Sequence, residues 1–256
     1  MTSRRRDAVE DSYKPIVVAE RVSTALFYSS SLLSIAALLV PSTQHPIAAQ
    51  LTQVLFALSV MGAFISSLAL RLYWGPRAQR RRIDDLVSHA FGVAIIDKQS
   101  SGYYNTKETE GARRLNSAIM ENSFFGKAIL AGMLPIERGI VLGYVIAWFA
   151  ALFFRSSDIT WLVVAAQALF SEQLLSRWLR IETLRLRFEA AYTAAHQLAN
   201  LSIPPEQFLP RVIQNFGHYE VAKATAGISL SSRVFRRLNA GLSRKWEAIE
   251  QNNPQS

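Results

Sequence analysis

VSTALFYSSSLLSIAALLVPSTQHPIAAQLTQVLFALSVMGAFISSLAL, residues 22–70, holds no Asp, Glu, Lys or Arg in 49 positions. About 18–20 apolar residues suffice to cross a bilayer, so this run excludes an ordinary water-soluble globular domain. Its middle, residues 41–46 (PSTQHP), carries two prolines and little apolar surface, and reads as a turn. The flanks, residues 22–40 and 47–70, are 19 and 24 residues long. As helices rising about 1.5 Å per residue they reach about 28 and 36 Å, against a hydrocarbon core of about 30 Å. The stretch therefore predicts a transmembrane helical hairpin. A signal peptide would have a shorter apolar core and no second span directly behind it.

Downstream lies a weaker pair. Residues 139–154 are uncharged, residues 155–158 (RSSD) form a short turn, and residues 159–176 carry one charge, Glu172. Both segments are short for a span. Arg138 and Arg155 would extend the third by snorkelling, and Trp148 and Trp161 suit the interface. A second hairpin is the expectation; a re-entrant or surface-lying pair is the alternative. The fold class is then all-α: a polytopic membrane protein with two transmembrane helical hairpins and cytoplasmic helical segments. Its parts are a tail (1–21), hairpin 1 (22–70), a linker (71–138), hairpin 2 (139–176) and a C-terminal region (177–256).

Composition agrees. Half of the 256 residues are hydrophobic and 18% are charged, against about 25% charge in soluble domains. The absence of cysteine excludes disulfides, a thiol nucleophile and thiolate zinc sites. Of 28 Lys and Arg residues, 27 fall in the tail, the linker and the C-terminal region, and only Arg155 falls in a turn on the other side. The positive-inside rule makes that basic side cytoplasmic, both termini included. In a bacterium this is the inner membrane. The far side shows only two small turns, so input comes from inside.

The net charge of +9 has a plain explanation. Arg77, Arg80, Arg81 and Arg82 follow the second span; Arg177, Arg180, Arg185 and Arg187 follow the fourth. Such clusters attract anionic lipid headgroups and fix topology. No DNA or RNA partner is expected, because that would ask for base-stacking aromatics on the same face.

Apolar residues at helical spacing predict a cytoplasmic helix over about residues 80–96. A second pattern starts near Arg113 and is expected to break at residues 121–126 (ENSFFG). Leu174, Trp178, Ile181, Leu184, Phe188, Ala191, Ala195 and Leu198 form a seam with about 3.5 residues per repeat, as in helix bundles. It predicts a long helix over about 159–198. Pro204 and Pro205 begin another element, and an amphipathic helix with a basic outer face ends the chain.

Three sets of residues invite function. Glu172 is costly in a membrane unless paired or wetted, and Gln167 and Ser171 lie close by on the helix. The three would line a polar path, or Glu172 would simply end the span at headgroup level. Ser59, Ala63 and Ser67 form a small-residue series that suits close helix packing, with pore lining as the other reading. Tyr103, Tyr104 and Asn105, with Phe124 and Phe125 further on, are unusual for a solvated linker. With Arg113 and Arg114 they would stack a base and hold a phosphate, or pack locally. No catalytic or phosphate-loop motif occurs, and the four histidines are not at metal-ligand spacing. The expectation is a protein that is not an enzyme, with no metal and no cofactor.

This organisation resembles the four-transmembrane-helix effectors that accompany bacterial cyclic-oligonucleotide synthases in anti-phage (CBASS-type) defence. Phe91-Gly92, Tyr103-Tyr104-Asn105 and residues 112–130 fall where that family carries an aromatic element and a polar helix; Tyr103-Tyr104-Asn105 stands in place of Trp-Tyr-Pro. Arg211-Val212-Ile213-Gln214 and residues 227–238 are similar in placing to its Arg-x-x-Gln and Pro-Trp-Tyr elements, the latter without prolines or tryptophan here. The resemblance implies a homo-oligomeric effector that disrupts the inner membrane when a cyclic oligonucleotide arrives. The alternative is a non-conducting anchor or adaptor that recruits a cytoplasmic partner through the C-terminal helices.

Overall fold

The computed structural model describes residues 9–41, 43–97, 100, 108–153, 174–201 and 203–251. Among them are α1 (Glu10–Leu39), α2 (Pro46–Ala69), a π-helical turn (Leu70–Trp74), α3 (Gly75–Phe91), α4 (Gly111–Phe153), α5 (Leu175–Asn200), α6 (Pro205–Ala226) and α7 (Ser232–Gln251). No strand occurs among the described residues. Stretches within Asp11–Ala37, Pro46–Phe91 and Gly111–Ala150 are long and apolar enough to cross a membrane. Most of the expected fourth span, with Gln167, Ser171 and Glu172, lies outside the described residues.

The chain divides into two compact units. The first comprises residues 14–75 and 136–179. The Ser23 and Ser67 hydroxyls meet at 3.1 Å, and the Ser66 hydroxyl donates to the Ala19 carbonyl at 3.1 Å. A Cβ at Gly62 would sit 3.1 Å from Leu26 Cδ1, so this face of α2 approaches α1 closely. Ser59, Ala63 and Ser67 are half-buried, while Leu58, Phe64, Ile65 and Leu68 are exposed. Small residues thus serve helix–helix contact, and large ones face outward. Glu137 and Arg177 form a half-buried ion pair at 3.0 Å.

Helix continues from α2 into α3, through residues 71–79, to which the sequence reading assigns no element. Pro76 has no N–H and its ring crowds the carbonyl four residues back. The turn at Leu70–Trp74 absorbs this by widening: the Gly75 N–H reaches the Leu70 carbonyl, five residues back. A Cβ at Gly75 would lie 2.7 Å from that oxygen, which explains the glycine.

The second unit combines residues 76–135 and 180–251 with residues 9–13. The linker and the C-terminal region, separate in sequence, share one core. The α5 seam lies inside it: Ile181, Leu184, Phe188, Ala191, Ala195 and Leu198 are all buried. Phe188 stacks on Tyr219 of α6 at 5.0 Å, and a Cβ at Gly126 of α4 would lie 2.4 Å from its ring. Phe124 packs against Tyr192 at 5.8 Å and Trp246 at 5.7 Å. Each fully buried large side chain contributes about 1.5–3 kcal/mol.

Two expectations about helix ends are corrected. The helix expected over about residues 80–96 ends at Phe91, because Gly92 adopts φ +67° and the chain turns away. The Ile95 N–H then bonds the Ser88 hydroxyl at 3.2 Å. The break expected at residues 121–126 does not occur, and α4 is continuous. Ser123 turns its hydroxyl back onto the Ile119 carbonyl, and Gly126 leaves the space that Phe188 fills.

Candidate functional site

The start of α4 separates the two arginines singled out in the sequence. Arg114 is a structural clasp. Its guanidinium donates to the carbonyls of Glu108, Thr109 and His89, each at 3.0 Å. The His89 carbonyl belongs to the last turn of α3, where helix carbonyls lack intrahelical partners. Arg114 therefore fastens the end of α3 to the segment that leads into α4.

Arg113 points elsewhere. It pairs with Glu110 at 3.0 Å and lies over the Phe208 ring of α6, 5.4 Å from its centroid. Arg113, Asn116, Ser117 and Met120 recur at helical spacing on one face of α4. Together with Glu108, Ala199 and Phe208 they line a small cavity.

Asn116 gives this cavity its chemistry. The residue is 3% exposed, and its amide nitrogen donates to the Ala195 carbonyl of α5 at 2.9 Å. That bond fixes the side chain. The opposite atom, Oδ1, is buried with no hydrogen-bond partner among the described residues. A buried acceptor left unmade costs about 1–3 kcal/mol. The cavity, about 20 Å³, has room for about one water molecule, with the Arg113 guanidinium and the Phe208 ring in its lining. No group of three or more His, Asp or Glu able to hold a metal occurs among the described residues.

Two polar clusters support this unit. Buried Asp85 accepts the N–H of Ser100 at 2.9 Å and its hydroxyl at 2.8 Å. Beside it, burial holds His89 below the usual imidazole range; the Arg114 charge adds to this and Asp85 opposes it. Gln79 of α3 donates to Glu220 of α6, which also pairs with Lys223 at 3.2 Å. Burial lowers the Lys223 ammonium pKa against the pull of Glu220, and the Arg82 charge lowers it further.

Tyr103, Tyr104 and Asn105 lie outside the described residues. Of the five linker residues proposed from sequence, Arg113 lines the cavity and Arg114 braces the residues just before α4. Asn116 and Phe208 are missed by sequence reading. The one available signal was a polar residue interrupting the apolar face set by Leu115 and Ile119. No family model, curated protein or solved structure matches the chain.

Proposed function

We propose that the chain is an oligomeric inner-membrane effector that permeabilises its membrane when a cytoplasmic signal binds. The observation that carries this reading is that one helix, α4, holds both Arg113 and Asn116 at one end and an apolar, outward-facing stretch at the other. A ligand satisfying Asn116 Oδ1 would act on the element that enters the bilayer. The resemblance supplies the signal class, a cyclic oligonucleotide, and the setting, anti-phage defence. In this reading there are four spans, both termini are cytoplasmic, and Gln167, Ser171 and Glu172 line the polar path.

The test is ion and dye flux from proteoliposomes of the purified protein, with and without a panel of cyclic oligonucleotides. Leak that appears with one nucleotide and vanishes in Arg113→Glu is expected, and Glu172→Leu should change its ion dependence. No leak under any condition, with insertion shown by protease protection, would overturn the reading.

One observation favours the adaptor alternative. The α5 seam packs within its own unit, and Leu209 and Ile213 stand exposed, four residues apart, on α6. Under that alternative Ile213→Glu abolishes co-purification of a partner, and the membrane potential stays unaffected throughout.

A further inference from the structure

Several arginines next to the spans, the obvious lipid contacts, also have partners within the protein, although Arg77, Arg80, Arg81 and Arg187 remain exposed. Arg80 lies 4.0 Å from Asp84, Arg81 donates to Ser12, and Arg82 covers the Tyr13 ring. Arg177 pairs with Glu137, and Arg185 with Glu182 and Glu189. Helix α7 differs. Arg233, Arg236, Arg237 and Arg244 are all exposed, and among the described residues none of them forms an ion pair. At 100° per residue the four fall within about 100° of the helix circumference. Exposed Ala240 and Glu247 lie among them, so the face carries four cations and one carboxylate. The opposite face is already used: Val234 and Trp246 are buried, against Gly132 and Phe124.

We infer that the arginine face of α7 docks on the anionic lipid surface of the membrane that holds the chain. Four exposed guanidiniums outside any ion pair among the described residues, Arg244 also donating to the Ala240 carbonyl at 3.3 Å, attract a surface of negative charge, and Arg binds lipid phosphate bidentately. Lipid is favoured over nucleic acid because no aromatic lies on this face to stack a base; Trp246 is turned into the core. The unit is covalently tied to the spanning helices, so lipid is also the anion at highest local concentration. The inference does not depend on whether the protein conducts.

The chain has no cysteine, so Ala240→Cys gives one attachment point for a nitroxide on this face. The full-length protein is placed in nanodiscs of phosphatidylcholine alone, or with phosphatidylglycerol. Collisions with a water-soluble paramagnetic relaxant are expected to fall severalfold only in the anionic discs. High salt should restore them, since screening weakens exposed charge pairs. Arg236→Gln with Arg237→Gln should lower the docking equilibrium about 30-fold, from roughly a factor of five per arginine. Equal collision rates in both lipids would overturn the inference. So would protection by added single-stranded nucleic acid in neutral discs with none from phosphatidylglycerol.

Discussion

In α2 the large apolar side chains point outward: Phe64 is 65% exposed, and the apolar window of this helix has no buried residue. In α5 the seam points inward: Phe188 is 2% exposed, while Arg185, Arg187 and Glu189, with the exposed Leu186, occupy the other faces. A helix that is apolar around its circumference needs an apolar solvent, whereas one with a single seam is satisfied by its own protein. The difference teaches that exposure, not hydrophobicity alone, separates the two units. The outside of the first is suited to hydrocarbon and the outside of the second to water.

Matched substitutions sharpen the comparison. Phe188→Ala should cost about 3–5 kcal/mol of the second unit's stability. Phe64→Ala in detergent should stay within about 0.5 kcal/mol. Thermal unfolding of the purified variants checks both, and equal losses would erase the distinction. The reverse experiment introduces charge. Phe64→Arg should penalise membrane insertion by about 2.5–3.5 kcal/mol in a translocon assay. Thr193→Arg, on the exposed side of α5, should fold as the parent does. A smaller effect is expected at Asn116→Ala, about 1 kcal/mol for the bond to Ala195. Denaturation would register that loss, and the same variant should bind ligand more weakly than its stability change explains.

The smallest effect is a pH dependence confined to the second unit. His89 has a folded pKa below its unfolded one, so the neutral ring is favoured in the fold. Its contribution is present above the unfolded value and is lost as pH falls through the folded one. Stability should therefore fall as pH drops from above the ordinary imidazole value of about 6.5 through the lowered folded one, and fall less in His89→Gln. Parallel pH profiles for the two proteins would remove His89 from the account.

Much of the helical layout was legible because it rests on patterns of charge and spacing. The charge-free run gave the first two spans, and the α5 seam gave a helix whose apolar face the structure buries. What escaped depends on contacts made far away in sequence. The second span was expected to end at Leu70 and the next helix to begin near residue 80, yet a widened turn at Leu70–Trp74 joins them. The ENSFFG stretch reads as a break, yet Phe188 fills the space at Gly126 and the helix persists. At the candidate site only Arg113 was legible, because a guanidinium announces itself. Asn116 acquires its character from the Ala195 carbonyl, 79 residues away, which fixes one side of its amide and leaves the other bare.

The central claim is that the exterior of one unit meets lipid and that of the other meets water. Single cysteines at Leu58 and Thr193, both in exposed positions, test it in native membranes with a water-soluble maleimide. The account predicts rapid labelling of Thr193→Cys, and labelling of Leu58→Cys only after detergent extraction. Leu58→Cys reacting as fast as Thr193→Cys in the intact membrane would contradict it.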